Sequence, residues 1–508
     1  MSRLKKLLNQ TAVYGISSIL GRAINVMIVP FYAHYLPVNE NGVIGVVFAA
    51  FVFLNVLYTF GMESAYMKYA SGTEGRPKST LIFSTSTLLL VAAGIVFSML
   101  MSAFPNQTAA MVGLSKGWLK LVFYMAAISL LDMLSVLPLA ELRLQNRPMQ
   151  FAFVKLTNII LTLALNLVFI MKLRWGVEGV FVANLIGSGV QVLHLTPVYL
   201  KRFRFAYQPD LAKSLLRYAL PLLPNGLAFA VTETMSRFFL NMMGKEQILK
   251  LYGAFIPAAE LAHLHSPDDY GDYVTGIFNN IYKIGVFMML FTQMFRFAWQ
   301  PFYFQHAEDA DAKPLFARVF TIFSAIGLTV WLMISFFAYE IVSFELPVVH
   351  KHLIPEQYWF ALSIVPVVLA AYLFQGWFYN FSAGAYIEKK THVLMNATLL
   401  GAAVTLVLNF MLVPSFGIMA AAFSTFGAYL TMSISILISV QRFYPVPYEW
   451  GKLGMMIGLA LALFGLWSVF PVLQMWYIEV VALLGYLGSM LAFGVISPSV
   501  LKSLVKRK

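Results

Sequence analysis

Leu165-Asn166-Leu167 followed by Trp175-Gly176-Val177-Glu178-Gly179 has a second version in the same chain, Leu408-Asn409-Phe410 followed by Phe416-Gly417-Ile418. Each stretch closes one apolar run, turns within a few residues and opens another, as the two copies of an internal repeat would. Toward the amino terminus, the run leading into Gly42 to Gly45 corresponds to the run leading into Leu251-Tyr252-Gly253. The offset is about 210 residues there and 243 at the asparagines, so roughly 30 residues have entered the second copy, and they fit at Ala254 to about Asn279. Each copy holds six apolar runs. An even number returns the chain to its starting side, so the copies share one orientation and are related by an axis along the membrane normal.

The composition says what these runs are. Of 508 residues, 60% are hydrophobic and 11% charged, against about 45–50% and about 25% in soluble domains. So few charges cannot solvate several water-facing domains, and the apolar excess must meet lipid. A bilayer core of about 30 Å takes about 20 helical residues. Fourteen runs of that order are expected, near 11–35, 43–65, 81–104, 118–139, 151–171, 176–199, 215–243, 275–297, 315–339, 359–381, 393–413, 417–440, 453–470 and 478–496. The expected architecture is an all-α multi-pass membrane protein with a six-helix lobe over 1–200 and a second over 210–440. The second carries an inserted outer loop near 254–279, and two additional helices follow over 453–496. A central cavity between the lobes completes the expectation.

The charge is +13, from 35 Lys and Arg against 22 Asp and Glu. With the amino terminus inside, 23 basic residues fall in cytoplasmic segments, 7 in outer loops and 5 within spans or at their edges. That bias sets orientation, with both termini cytoplasmic, and accounts for the charge without nucleic acid. Clusters such as Lys201, Arg202 and Arg204 read as anchors at anionic headgroups. Arg3, Lys5 and Lys6 precede an apolar run with no cleavage site, so that run reads as a retained first helix. There is no cysteine, which excludes disulfides and thiolate chemistry. No Gly-Lys-Ser or Gly-Lys-Thr loop is present and no predicted loop much exceeds 20 residues, which excludes ATP hydrolysis on this chain. No cofactor is expected.

A run of short motifs adds a resemblance. They are Leu8-Asn9-Gln10-Thr11-Ala12-Val13-Tyr14-Gly15, Ile28-Val29-Pro30-Phe31-Tyr32, Asn41-Gly42-Val43 and Phe60-Gly61-Met62-Glu63-Ser64-Ala65, the last closing the second span. The second half adds Tyr218 to Pro224, Ser236-Arg237-Phe238-Phe239-Leu240, Lys283-Ile284-Gly285 and Arg296 to Pro301. In this order and spacing the chain resembles the polysaccharide flippases of the multidrug, oligosaccharidyl-lipid and polysaccharide exporter superfamily. The resemblance covers spans one to twelve. It implies two six-helix lobes that open alternately to either side, and a cationic cup for a lipid-linked pyrophosphate. The insertion at 254–279 departs from the pattern the resemblance rests on.

Charges within spans are costly, about 2.5–3.5 kcal/mol each on insertion scales, and normally face protein or water. Arg22 lies midway along the first span, Arg237 in the repeat-equivalent seventh, and Lys283 and Arg296 in the eighth. The resemblance makes these four the candidate headgroup ligands, with a guanidinium suited to forked bonding of phosphate. Three of them also have a plain alternative. Arg22 can pair with another helix, Arg237 with Glu233 four residues before it, and Arg296 can snorkel. Glu233, Asp132 and Glu63 are the candidates for proton or sodium coupling, although Glu63 can instead cap a helix or pair with Lys68. His263, His265, Asp268, Asp269 and Asp272 are metal-ligand types, read as a solvated loop with no metal.

The expected function is export of a polyprenyl-pyrophosphate-linked oligosaccharide across a bacterial cytoplasmic membrane, as in polysaccharide or lipopolysaccharide synthesis, without covalent chemistry. Its partners would be that lipid, membrane lipids, and the glycan polymerase and glycosyltransferases of the same assembly line. A cation-coupled exporter of drugs or metabolites is the alternative within transport. A membrane-embedded polymerase is the alternative outside it, and it would need acid and base residues on an outer loop. Glu340, Glu345, His350, His352 and Glu356 offer these types.

Overall fold

The computed structural model describes residues 28–71, 76–262, 264–346, 351–492 and 494. Among them, 11 helices are long and apolar enough to cross a bilayer, with mean hydropathy between 1.2 and 2.2 over their most apolar windows. One of these, His392–Gln441, is 50 residues long and contains two helices that meet at Gly417. It takes in the expected spans 393–413 and 417–440 together. The last apolar helix, Trp476–Met490, is shorter, and most of the expected first span lies outside the described residues.

The chain forms two compact units, residues 1–280 with 405–421, and 281–404 with 422–508. In the first unit, α1 (Val38–Thr59) ends where Phe60 and Gly61 both turn left-handed, at φ 32° and 75°. The chain then restarts as α2 (Met62–Ala70). The Phe60-Gly61 motif thus closes the membrane-length helix, as its sequence position predicts, and the short α2 follows directly. A Cβ at Gly61 would sit 2.7 Å from the carbonyl oxygen of Ala219, too close for any other residue. Helices α3 (Arg76–Ala103), α4 (Lys120–Leu144), α5 (Pro148–Leu167) and α6 (Gly176–Arg202) follow. Helix α4 packs on both α3 and α6. A seventh apolar stretch, Pro209–Asn241, is interrupted by a 3₁₀ turn at Leu220–Leu222, where Pro221 removes a backbone donor. Its second part, α7 (Leu223–Asn241), packs on α1.

The largest departure from expectation is at 254–279. Helix α8 runs Pro267–Tyr282, starting eight residues before the expected eighth span and inside the expected loop, and continues through a 3₁₀ turn at Lys283–Gly285 into α9 (Val286–Gln305). The start is capped by Asp269, whose Oδ2 accepts the backbone N–H groups of His265 at 2.8 Å and Ser266 at 2.7 Å. Every residue from Tyr270 to Tyr282 is buried. A helix surrounded by protein needs no lipid-facing apolar stripe, and for that reason its acidic residues misled the hydropathy reading.

In the second unit, α9 packs on α10 (Val365–Phe381) and α11 (Ala312–Phe336) packs on both α10 and α12 (Trp450–Val469). The joints are aromatic: Phe291 stacks on Phe323 at 5.1 Å and Phe320 meets Trp377 edge-on at 5.4 Å. Within this unit only 17% of the apolar window of Trp450–Val469 is buried, against 67% for Ala312–Phe336.

The repeat has an atomic counterpart inside the first unit. Asn166 Nδ2 donates to the Thr162 carbonyl at 2.8 Å, and Asn409 Nδ2 donates to the Thr405 carbonyl at 2.8 Å. Gly176 and Gly417 then adopt left-handed φ values of 58° and 54°. The N–H of the next residue is taken by a distant oxygen in each copy: Val177 by the Glu40 carboxylate, Ile418 by the Tyr252 hydroxyl at 2.8 Å. The two copies thus share a pseudo-symmetric turn. At Gly417 a Cβ would overlap the Tyr252 hydroxyl, while at Gly176 it would lie 3.2 Å from Glu40 Oε2.

Candidate functional site

Arg22 lies outside the described residues. Arg237 is half-buried on α7. Its Nε donates to Asn279 Oδ1 on α8 at 3.2 Å, and an Nη donates to the Glu233 carbonyl at 2.9 Å. Glu233 thus bonds Arg237 through its backbone. One turn further along α7, Asn241 Nδ2 donates to Asp272 Oδ1 at 2.7 Å. Two rungs therefore tie α7 to α8, and Asp272, read from sequence as part of a solvated loop, is buried in the second of them.

Asp132 sits in the middle of α4 and accepts a hydrogen bond from Ser188 Oγ on α6 at 2.6 Å. The ammonium of Lys155 on α5 acts on it electrostatically. Gly187 lets α6 approach closely, since a Cβ there would overlap the Thr162 hydroxyl of α5. Glu63 pairs with Arg143 of α4. The anticipated partner Lys68 instead lies over the Tyr218 ring at 3.9 Å. Beside this pair is a network the sequence reading did not single out. Buried Glu141 accepts from the Tyr66 hydroxyl at 2.5 Å, from Gln145 Nε2 at 2.5 Å and from Arg202 Nε at 2.6 Å. Arg202 also donates to Ser79 Oγ at 3.1 Å. Glu63 and Arg202 are thus structural before they are anything else.

In the second unit, Arg296 of α9 is exposed and stands 4.8 Å from the centre of the Tyr379 ring of α10. The Tyr379 hydroxyl accepts from Arg296 at 3.5 Å and from Gln293 Nε2 at 3.4 Å. Aromatic contact and hydroxyl together orient the guanidinium while leaving its remaining donors for a ligand. Lys283 is half-buried in the 3₁₀ turn that separates α8 from α9.

Among the described residues no group of three His, Cys, Asp or Glu side chains is placed to hold a metal ion. Of the anticipated ligand types, Asp269 caps α8, Asp272 holds Asn241, and His263 lies outside the described residues. On the loop considered for an enzyme, His352 pairs with Glu356 at 3.5 Å and its Nδ1 meets the Ser343 carbonyl at 2.8 Å. A cavity of about 350 Å³ in the first unit is lined by apolar side chains, among them Leu54, Tyr58, Phe97, Met101 and Phe104. It carries no charge for a headgroup.

No protein-family model and no curated protein matches the chain. Among solved structures, it is similar to the lipid II flippase MurJ in an inward closed conformation, with a TM-score of 0.72 and 12% identity over 94% of this chain and 98% of that one. It is also similar to an inward-facing multidrug resistance MATE family transporter of the MOP superfamily, with a TM-score of 0.64 and 13% identity over 83% and 94%. The chain has the MOP-superfamily fold. An outward-facing MATE transporter also matches, with a TM-score of 0.55 and 14% identity over 86% and 95%. The neighbours that carry the MOP fold are thus described as transporters and a flippase, not as enzymes.

The in-span charges were visible in the sequence because a charge in an apolar run is out of place. Their holders Asn279, Tyr379, Gln293 and Ser188 were missed. A neutral polar residue in a membrane helix is common, and nothing in a single sequence ties it to a charge on another helix.

Proposed function

We propose that the chain is a flippase that moves a polyprenyl-pyrophosphate-linked oligosaccharide from the cytoplasmic to the outer leaflet of a bacterial cytoplasmic membrane by alternating access. Lobes over 1–200 and 210–440, with 453–496 added, are the moving parts, and both termini are cytoplasmic. Arg237, Lys283 and Arg296, with Arg22, bind the pyrophosphate. The observation that carries this reading is the treatment of Arg237 and Arg296. Each guanidinium lies on a bilayer-length helix, and each is oriented by a neutral partner on a neighbouring helix, Asn279 or Tyr379. A fork so held bonds phosphate oxygens with little further ordering. The likeness to a lipid II flippase supports the same reading. Glycosyltransferases and a glycan polymerase would supply and consume the lipid.

Purified protein in vesicles should move a fluorescent polyprenyl-pyrophosphate-linked oligosaccharide between leaflets, measured as the fraction quenched from outside. Failure to do so, with ethidium accumulating under a proton or sodium gradient, would favour a cation-coupled drug or metabolite exporter instead. That second reading is supported by Asp132, which is bonded to Ser188 and faced by Lys155 and would serve as the coupling carboxylate ahead of Glu233 and Glu63. Orientation has its own test, made simple by the absence of cysteine. A cysteine at Lys201 should react only from the cytoplasmic side, and cysteines at Asn106 and Lys351 only from outside. Labelling of Lys201→Cys from outside would reverse the topology.

A further inference from the structure

Helix α8 is gripped on two sides. Toward α1 the contact is backbone on backbone. A Cβ at Gly42 would overlap the Asp272 carbonyl, and a Cβ at Gly276 would overlap the Val38 carbonyl and stand 3.0 Å from the Gly42 nitrogen. The third contact is different in kind. A Cβ at Gly45 would lie 3.0 Å from Asn279 Cγ, so the bare backbone at Gly45 is a wall against the Asn279 side chain. Residues 38, 42 and 45 on one helix and 272, 276 and 279 on the other each step by four and three, which puts each set on one helical face. Toward α7 the grip is made of side chains, Asn241 on Asp272 and Arg237 on Asn279. A Cβ at Gly271 would also overlap the Asn241 carbonyl.

Asn279 therefore belongs to both grips. One face of its amide is confined by Gly45 and its oxygen holds the Arg237 Nε. We propose that Asn279 is the positioning residue for Arg237 and that it links the α1–α8 joint to the anion grip, so that parting the joint loosens the arginine. This rests on the reading of Arg237 as a pyrophosphate ligand. While the joint is closed, Asn279 has one rotamer and the guanidinium one orientation. Once Gly45 withdraws, the amide gains rotamers and the fork loses its fixed direction. The entropy of a side chain no longer held puts the loss at roughly three- to tenfold in affinity. The basic-residue bias puts this joint at the external end, where the headgroup must be let go. Opening and release are then one event.

Two measurements on the cysteine-free chain test this. Affinity for geranyl pyrophosphate in detergent reports the grip. Labelling of Thr275→Cys by an impermeant maleimide from outside reports the joint, because Thr275 is fully buried within it. Asn279→Ala should weaken geranyl pyrophosphate binding about tenfold, and Asn279→Asp, which keeps the acceptor oxygen, should retain affinity. Gly276→Ala should raise Thr275→Cys labelling severalfold and lower affinity in parallel. Raised labelling with unchanged affinity would overturn the link, and unchanged labelling would overturn the joint. If Gly276→Ala does not fold, the Asn279 variants decide alone, and full affinity in Asn279→Ala overturns the positioning role. If Arg237→Ala itself binds geranyl pyrophosphate normally, the headgroup reading of Arg237 has failed, a result distinct from these.

Discussion

Replacing Arg296 by alanine is expected to lower flipping of the lipid-linked oligosaccharide about 100-fold while leaving the protein folded and in the membrane. The side chain is exposed and rests on Tyr379, so its loss opens no cavity and strands no buried partner. If Arg296 binds the pyrophosphate as proposed, what is lost is a pair of hydrogen bonds from a charged donor to phosphate, each contributing about 1.5–3 kcal/mol. Two at the lower end of that range amount to about 100-fold. Arg296→Lys keeps the charge without the planar fork and should restore activity only in part. Tyr379→Phe leaves the ring beneath the guanidinium and removes the hydroxyl that takes its donor, so a loss of severalfold is expected. Full flipping by Arg296→Ala in the vesicle assay, with the melting profile unchanged, would show that this arginine only reaches for the interface. Arg237→Ala should lose as much activity, but it leaves Asn279 unpaired inside the protein and should also soften the melt.

The second large effect is on stability. Glu141→Leu is expected to destabilise the first unit by about 3–5 kcal/mol, the usual result of removing one partner of a buried ion pair. Glu141 is 3% exposed and takes three donors. Without it the guanidinium of Arg202, whose side chain is 23% exposed, keeps Ser79 Oγ but loses its charged partner, and the hydroxyl of Tyr66 loses its acceptor. The change should appear as a drop of several degrees in the unfolding midpoint in detergent. Combining it with Arg202→Met should recover most of that drop, because the orphaned charge and not the missing carboxylate carries the cost. A midpoint for Glu141→Leu equal to that of the parent would mean water already solvates Arg202.

These two sites also mark where sequence reading succeeds and where it stops. Arg296 stood out from sequence because a charge in an apolar run costs free energy that something must return. Glu141 lies at the end of a span among Arg143, Gln145 and Arg147, where charges are ordinary, and its burial by Tyr66 and Arg202 depends on helices far away in the chain. The same logic separates the helices. Val38–Thr59 and Ala312–Phe336 have mean hydropathies of 2.2 and 2.1 and were found. The expected eighth span starts at 275, and the part of the Pro267–Tyr282 helix before it looks like a loop in sequence because its neighbours are glycine backbones and Asn241 and its own residues there are polar to match them. Phe60-Gly61 reads as the end of a span, and the apolar helix does end at Thr59; what a single sequence does not show is the Ala219 carbonyl pressed against Gly61.

The matched turns at Gly176 and Gly417 carry a consequence for the symmetry of the molecule. Their backbones are copies, but the oxygens that cap them are not. One is a carboxylate, Glu40, and the other a phenol, Tyr252. Burial pushes the Tyr252 phenol above its ordinary range, so that cap carries no charge at any physiological pH. The same backbone N–H is therefore taken by an acid in one copy and by a phenol in the other. The two halves are thus alike in the path of the backbone and unlike in the side-chain chemistry that holds it, so a substitution at one cap has no counterpart at the other.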